Sequence, residues 1–268
     1  MKRIITIFVL VIVIMSCLLF SGCSSRKNND FEYAVLEDGT LKITATDNMI
    51  DRDIRIPESI DGIPVTSFDA ELFTGLEIDS LYIPKTITSF KLPNKLDISA
   101  IHVDPENQIC KSISGVLYSK DGSILYKYPS RKTETEYRFP EETIEISSFA
   151  FDQCNNLERI VLNNNIKIIP SFAFVECGNL NEIVLTGVEE LCNSIIVDCP
   201  SLKKLYIPQS VSKIKQETFS GSSIVKLNIS EHNQHFSFCN GFLYKIFSEK
   251  EINSKCEYSN SWEFICIC

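Results

Sequence analysis

The chain has 268 residues, of which 44% are hydrophobic and 23% charged, so it can form a sizeable core and is not disordered as a whole. Its formal net charge of −9 argues against nucleic-acid binding. Eleven Cys are too few for a disulfide-rich scaffold, and the low Gly content argues against glycine-rich phosphate loops.

Residues 1–22 have the pattern of a lipoprotein signal peptide. A basic start, Lys2-Arg3, precedes the uncharged segment Ile4–Phe20, and Ser21-Gly22-Cys23 follows it. A basic region, an apolar region and small residues at the exit are the parts of a secretory signal. The apolar segment is shorter than the roughly 20 residues of a membrane span, and a permanent transmembrane anchor is the alternative interpretation.

The exit of this segment resembles a bacterial lipobox, in which the Cys is lipidated and becomes the first residue of the mature chain. Ser21 and Gly22 fit the two positions before Cys23, whereas Phe20 stands where Leu is usual. The resemblance implies that Cys23 carries acyl chains, and several chains together hold a protein on a membrane. We therefore predict an extracytoplasmic protein anchored by lipid to the cell membrane or outer membrane, with residues 23–30 as lipidated Cys and polar tether.

Residues 31–54 are predicted to form an N-terminal β cap. Phe31 to Thr46 contains two β-rich runs around Glu37-Asp38-Gly39, which is a hairpin pattern. Arrays of structural repeats need covered ends, so this hairpin is expected to cover the first repeat.

Residues 55–247 contain an internal repeat of 22–23 residues. Phe149-Ala150-Phe151 matches Phe172-Ala173-Phe174 at a spacing of 23, and short apolar triplets recur in the same phase. Alternating apolar positions predict short strands with one buried face, and so small a unit buries its apolar residues only by stacking on its neighbours. The triplets are Leu81-Tyr82-Ile83, Ile101-His102-Val103, Tyr137-Arg138-Phe139, Ile160-Val161-Leu162, Ile183-Val184-Leu185, Leu205-Tyr206-Ile207 and Leu227-Asn228-Ile229.

These residues resemble the BspA-like leucine-rich repeat family of bacterial surface proteins over residues 31–247. The resemblance implies an α/β, β-dominated, right-handed leucine-rich repeat solenoid with short parallel strands and inserted β-hairpin cassettes. It also implies a non-catalytic role in binding or adhesion at the bacterial cell surface. Asn163 and Thr186 replace the Pro that follows other triplets, and Ile196 replaces the second Phe of the Phe-Ala-Phe segment. We therefore expect slight changes in the geometry of these turns of the solenoid, each of which we call a rung.

A hairpin cassette is predicted at residues 104–136, where Lys120-Asp121-Gly122 separates two β-rich runs. Residues 230–247 begin a second cassette, since Gly241-Phe242-Leu243-Tyr244 repeats Gly115-Val116-Leu117-Tyr118 at a distance of 126 residues. The match then stops, and residues 248–268 have no repeat phase. We hypothesise a shifted reading frame or a truncation after Tyr244, which translation of the other frames would test.

Cys154, Cys177 and Cys199 recur at spacings of 23 and 22 residues. We favour small buried apolar side chains, and the alternative is a disulfide, which export would permit. A metal site is disfavoured because one ligand per repeat does not surround a single point.

The sequence lacks a nucleophile elbow, a Walker motif and a dinucleotide-binding glycine motif, so we expect no catalytic residue, metal or cofactor. His232 and His235 lie in a loop and are interpreted as surface residues. Two alternatives stay open: a scaffold or accessory subunit of an envelope enzyme, and a non-functional fragment of a longer adhesin.

The variable strand positions predict an exposed binding face, and aromatic and Arg side chains often anchor protein contacts. The stripe Arg159, Lys204 and Lys226 would favour an acidic protein or glycan partner, and ordinary solvent-facing residues are the alternative interpretation. The candidate residues of this face are Tyr82, His102, Arg138, Arg159, Lys204, Tyr206 and Lys226.

Overall fold

The computed structural model describes residues 26–28, 31–46, 52–73, 76–215, 217–239, 242–245 and 264–265. Within these ranges every regular element is a β-strand except one 3-10 helix, Ala70–Phe73. The β-dominated fold is therefore confirmed, whereas the α component of the expected α/β class is missing from the described ranges, where turns and short strands connect the rungs. The expected signal peptide (1–22) and lipidated Cys23 lie outside the described residues.

The N-terminal region has nine strands: β1 (Arg26–Asn28), β2 (Phe31–Val35), β3 (Leu41–Thr46), β4 (Asp53–Arg55), β5 (Ser59–Ile60), β6 (Ile63–Phe68), β7 (Ile78–Ile83), β8 (Ser89–Phe90) and β9 (Ile98–Val103). One sheet has the order β1-β2-β3-β6-β5, with β8 also paired to β6, and β4-β7-β9 form a second, parallel sheet. β2 and β3 form the expected hairpin, and β3 runs parallel to β6. β1, within the segment expected to be a tether, pairs antiparallel with β2.

The inserted cassette and the strands around it are β10 (Cys110–Ile113), β11 (Val116–Ser119), β12 (Ile124–Lys127), β13 (Glu136–Arg138) and β14 (Glu145–Ile146). β11 pairs antiparallel with both β10 and β12, which confirms the hairpin, and β12 continues parallel to β14. In the turn, Asp121 accepts hydrogen bonds from the Ser119 hydroxyl at 2.6 Å and from the Ser123 backbone N–H at 3.0 Å. These hydrogen bonds lower the pKa of the Asp121 carboxyl to about 2.

The repeat rungs are built from very short strands: β15 (Phe151–Asp152), β16 (Arg159–Val161), β17 (Ile168–Ile169), β18 (Phe174–Val175), β19 (Glu182–Val184), β20 (Glu190–Leu191), β21 (Ile196–Val197), β22 (Lys204–Ile207), β23 (Lys213–Ile214) and β24 (Lys226–Ile229). They form the parallel sheets β13-β16-β19, β15-β18-β21, β17-β20-β23 and β22-β24. Phe151 lies opposite Phe174 and Phe174 opposite Ile196, so equal repeat positions are neighbours in space. This register confirms the stacking predicted from the period.

The last described strands are β25 (Phe236–Cys239), β26 (Phe242–Lys245) and β27 (Phe264–Ile265), which form an antiparallel sheet in that order. β25 and β26 correspond to the start of the expected second cassette. Apart from β27, residues 248–268 lie outside the described residues.

The buried side chains form two hydrophobic clusters, one running from Tyr33 to Leu117 and the other from Val116 to Phe236. Successive residues of a strand point to opposite faces. Val116 and Leu117, adjacent in β11, accordingly belong to different clusters. The inserted hairpin is therefore a shared wall between the N-terminal and C-terminal cores.

The Phe-Ala-Phe segments turn the chain within each rung. Ala150-Phe151 and Ala173-Phe174 are fully buried, whereas Phe149 is half-buried and Phe172 is 39% exposed. Phe149 and Phe172 both have φ of 58°, a left-handed conformation, and their rings stack at a centroid distance of 5.2 Å. The last two positions of each segment therefore fill the interior, whereas the first position lies nearer the surface.

Three buried asparagines join successive turns with one pattern of four hydrogen bonds. The side-chain amide donates to two carbonyl oxygens of the preceding turn, and the side-chain oxygen accepts from two backbone N–H groups of its own turn. For Asn163 the acceptors are the carbonyls of Pro140 and Thr143. The three residues are Asn107, Asn163 and Asn233. Asn163, which replaces a Pro, therefore adds an inter-rung connection.

The three periodic cysteines are free and buried, which confirms the favoured interpretation over a disulfide. The Cys177 thiol lies 2.9 Å from the carbonyl oxygen of Phe151 in the preceding rung. Contact with Cys154, together with burial, raises the pKa of the Cys177 thiol well above its ordinary value. Burial likewise raises the pKa of Cys110, in the N-terminal core, to about 11.

Candidate binding face

The predicted columns of variable side chains are aligned in the structure. The register pairs Tyr82 with His102, Arg138 with Val161, Val161 with Val184, Tyr206 with Asn228, and Lys204 with Lys226. All of these side chains are exposed or half-buried. The described strands of three sheets, β4-β7-β9, β13-β16-β19 and β22-β24, therefore present variable side chains to solvent, and we call these side chains together the binding face.

At the N-terminal end of the binding face, Tyr82 lies within a stack of three side chains. The guanidinium carbon of Arg55 lies 3.6 Å from the centroid of the Tyr82 ring, and the centroid of the His102 ring lies 4.7 Å from it. The ring therefore already has a cation on one side and an imidazole on the other. Sequence reasoning missed Arg55, although Ile54-Arg55-Ile56 has the pattern of a triplet and Arg55 occupies its middle position.

In the centre of the binding face, Arg159 lies between two carboxylates. Its guanidinium contacts Glu136 at 3.0 Å and Glu182 at 2.6 Å, and Arg138 contacts the same Glu136. The hydrogen bond from Arg159 holds the pKa of the Glu136 carboxyl below its ordinary value. The prediction that Arg159 belongs to a basic stripe is thus wrong, because the carboxylates of Glu136 and Glu182 compensate its charge.

At the C-terminal end of the binding face, two lysines keep their charge uncompensated. Lys204 and Lys226 lie opposite each other in β22 and β24, and both are exposed. Within the described ranges neither forms an ion pair, whereas Lys213 on another side of the same rungs contacts Glu190 at 2.9 Å. The basic stripe is reduced to this pair.

Beside this pair lies a groove of about 700 Å³, which we call the notch. Its polar and aromatic lining includes Glu182, Thr186, Lys204, Tyr206, Gln209 and Asn228. The Tyr206 side chain is 53% exposed, and its ring stacks on no other ring in the described part of the chain. The sheets β13-β16-β19 and β22-β24 are separate, so the face is interrupted here.

The notch has its origin in a shortened turn. Three residues separate the end of the triplet from the next buried apolar side chain in two neighbouring rungs, namely Asn163–Asn165 before Ile166 and Pro208–Ser210 before Val211. Between them, only Thr186-Gly187 precede Val188. Gly187 has φ of 74°, and a Cβ added there would lie 2.6 Å from the carbonyl oxygen of Asn164. Only Gly fits this close approach, and the shorter turn leaves a gap between its full-length neighbours.

The histidines, metal-binding clusters and membrane-spanning helices were the other candidate features. His232 and His235 are exposed, as expected for surface residues. Among the described residues no three His, Cys, Asp or Glu side chains cluster as metal ligands would. A helix of the length and hydropathy needed to cross a bilayer is likewise not found in the described ranges.

The repeat is also recognised by comparison with known proteins. The profile of the family described as BspA type leucine rich repeat region matches residues 127–258 in 6 copies. Residues 127–258 are a BspA-type leucine-rich repeat region. The match extends into residues 248–258, beyond the point where the repeat phase was expected to stop.

Solved structures to which this chain is similar come from several bacteria. A leucine-rich repeat protein from Eubacterium ventriosum is 14% identical, covers 81% of this BspA-type chain and 91% of its own chain, and has a TM-score of 0.45. The T. pallidum leucine rich repeat protein is 17% identical, with 78% and 90% coverage and a TM-score of 0.42. The pneumococcal vaccine antigen PcpA is 17% identical, with 78% and 94% coverage and a TM-score of 0.40. The comparison with curated proteins gives no match.

Proposed function

We propose that this BspA-type protein is a lipid-anchored, extracytoplasmic and non-catalytic binding module of the bacterial cell surface. The observation that carries the proposal is the alignment of exposed, variable side chains along the binding face, in register from rung to rung. Such a face contacts an extended partner at several points, whereas the buried positions of the same strands serve only to hold the rungs together.

The rigidity of the rungs supports this role. Each exposed position of a triplet alternates with buried residues such as Leu81 and Ile183, and parallel pairing fixes its distance to the next rung. A partner that binds preorganised side chains loses less conformational entropy than one that must order a loop.

The proposed anchor rests on the N-terminal sequence. The basic start, the apolar segment and the Ser21-Gly22-Cys23 exit together fit a lipoprotein signal, and acylated Cys23 would keep the solenoid at the membrane. The solenoid and its binding face would then be presented outside the cytoplasm.

The anchor is tested by expressing Cys23→Ala in a bacterial host and separating membrane from soluble fractions. We expect the variant to lose the lipid and to leave the membrane fraction under conditions that retain the unchanged chain. Cys192→Ala, which alters a half-buried Cys of the solenoid, is the matched control and should stay in the membrane fraction. Equal membrane retention of all three proteins would refute lipid anchoring through Cys23.

The binding role is tested by titrating the purified full chain onto intact bacterial and host cell surfaces. We expect saturable binding that weakens when Tyr82→Ala and Tyr206→Ala are combined. Phe172→Ala, which removes an exposed ring outside the binding face, is the matched control. Equal affinities of the unchanged chain and the double variant would refute binding through this face. Protease or periodate treatment of the cells identifies the partner as protein or glycan.

A further inference from the structure

We propose that the notch is a subsite for an acidic saccharide, that is, a glycan carrying carboxylate or sulfate groups. The proposal rests on the proposed function, since it names the ligand class of the binding face. Tyr206 and Lys204 belong to the lining of the notch, and Lys226 lies outside the lining, opposite Lys204 in the neighbouring strand. Tyr206 would stack on a sugar ring, and the two lysines would contact its acidic groups.

The volume and lining of the notch fit a saccharide. Its volume of about 700 Å³ lies within the range of roughly 300–1,000 Å³ that is usual for sites of small ligands. Asn164, Asn181, Gln209 and Asn228 bring side-chain amides to its rim. These amides form no hydrogen bond to another side chain or backbone group in the described residues, in contrast to the saturated amide of Asn163. They are therefore available as donors and acceptors for sugar hydroxyl groups.

The aromatic component is the ring of Tyr206, which is 53% exposed and lies in the wall of the notch. Tyr offers a large, rigid contact surface at a low cost in conformational entropy. The apolar C–H face of a pyranose ring packs against such a surface. Among the described residues no second aromatic side chain lines the notch, so a single stacked sugar is the appropriate occupant.

The charge of the notch selects an acidic ligand. Arg159 binds the Glu182 carboxylate at 2.6 Å, so the one acidic side chain that the described residues contribute to the lining is already compensated. Lys204 and Lys226, by contrast, have no carboxylate partner in the described ranges and lie opposite each other. An incoming carboxylate or sulfate would restore local neutrality, whereas a neutral glycan would leave both charges unpaired.

An acidic protein segment is the competing occupant, and the shape of the notch disfavours it. Protein hot spots are desolvated pockets that close around buried aromatic, Arg or apolar anchors. The notch is an open groove whose rim carries amides, and its only ring is half-exposed. Its lining therefore favours a ligand with many hydroxyl groups.

The ligand class is tested by titration calorimetry on the purified full chain. The probes are an oligogalacturonate, which carries carboxylates, a heparin-derived hexasaccharide, which carries sulfates, neutral maltohexaose, and poly-glutamate of matched charge. We expect at least one acidic saccharide to bind at least about tenfold more tightly than maltohexaose and poly-glutamate, a difference of about 1.4 kcal/mol. Its affinity should also fall as salt is added. The two acidic saccharides distinguish carboxylate from sulfate as the recognised group.

The location is tested with variants of the notch. Tyr206→Ala, and separately Lys204→Gln combined with Lys226→Gln, should each weaken binding of the acidic saccharide about tenfold or more. Phe172→Ala controls for loss of an exposed ring, and Lys91→Gln controls for loss of one exposed positive charge outside the notch. Both controls should leave the affinity unchanged.

The outcomes separate this proposal from the proposed function. Equal affinity for poly-glutamate and the acidic saccharides would overturn the ligand class, and unchanged affinity of both notch variants would overturn the location. If no saccharide binds while cell-surface binding still depends on Tyr82 and Tyr206, the saccharide subsite alone is refuted. If cell-surface binding does not depend on these residues, it is the proposed function that fails.

Discussion

Tyr82 and Tyr206 occupy the same position of the repeat and have different surroundings. Tyr82 is half-buried, with the guanidinium of Arg55 3.6 Å from its ring centroid and His102 stacked at 4.7 Å. Tyr206 is 53% exposed, lies opposite Asn228, and borders the notch on its other side. The first ring is used within the protein, whereas the second is available to a ligand.

The difference teaches that a residue in a repeat acquires its role from the adjacent rungs. The alternation of side chains along a strand directs both Tyr rings toward the solvent side. Only the N-terminal rungs supply two side chains, those of Arg55 and His102, that cover the Tyr82 ring. The C-terminal rungs supply an amide and a shortened turn. Four predictions test this comparison, in order of decreasing effect.

Gly187→Ala should be the most damaging change, because it attacks the turn that creates the notch. The new Cβ would meet the Asn164 carbonyl at 2.6 Å in a backbone with φ of 74°. We expect a loss of about 3 kcal/mol in the free energy of unfolding, measured by urea denaturation. Gly39→Ala, with φ of 82° and open space around its Cβ, should lose only about 1 kcal/mol. Equal losses would show that the close approach at Gly187 is unimportant.

Asn163→Ala should follow, because it leaves two carbonyl oxygens and two N–H groups without their partner. We expect a loss of about 2–3 kcal/mol in the free energy of unfolding. Asn179→Ala, which removes one exposed hydrogen bond to the Asn155 carbonyl, should cost less than about 1 kcal/mol. If the two variants unfold at the same urea concentration, the buried asparagines do not stabilise the rungs.

Tyr82→Ala and Tyr206→Ala should separate stability from binding. Loss of the stack with Arg55 and His102 should lower the free energy of unfolding by about 1–2 kcal/mol, whereas loss of the exposed Tyr206 ring should cost about 0.5 kcal/mol or less. Binding should show a stronger dependence on Tyr206. Similar destabilisation by the two variants would contradict the different surroundings described for these rings.

Glu176→Gln should have the smallest effect, which is present at neutral pH and disappears at acid pH. Lys95, in the N-terminal region, contacts Glu176 at 2.5 Å, and with Gln153 it lowers the pKa of the Glu176 carboxyl. The ion pair therefore stabilises the fold above the ordinary Glu pKa of 4.5, and this contribution disappears as the pH falls through the lowered value. Stability curves against pH should be flatter for Glu176→Gln than for the unchanged chain.

Glu217→Gln, at an exposed residue outside the ion pairs of the described chain, is the control for this pH-dependent effect. A curve for Glu176→Gln that follows the control at every pH would show that the contact between the two regions adds no stability.

The period of the sequence was enough to predict the stacked strands and the aligned columns, because Ile160, Ile183 and Leu205 must be buried together. It was not enough to predict which side chains on the surface compensate one another. Arg159 was expected to belong to a basic stripe, but Glu136 and Glu182 lie in register on either side of it. The positions were correct, and the error lay in reading each rung's charge without those of its neighbours.

The notch was also beyond prediction, although its cause is visible in the sequence. Thr186-Gly187 is one residue shorter than the matching turns, and the effect of a missing residue depends on how the rungs on both sides close around it. The sequence also did not indicate that Phe149 and Phe172 lie nearer the surface than the other residues of their segments. Both have a positive φ, a backbone conformation that the surrounding rung imposes and that the sequence of a non-glycine residue does not predict.

The buried asparagines give the solenoid a direction of growth. The amides of Asn107, Asn163 and Asn233 each donate to carbonyl oxygens of the turn that comes earlier in the chain. A chain emerges from the ribosome with its N-terminus first, so every new rung that carries such an Asn meets acceptors that are already in place. We therefore expect the rungs to assemble from the N-terminal end, because each folded turn presents carbonyl oxygens to the Asn of the next turn.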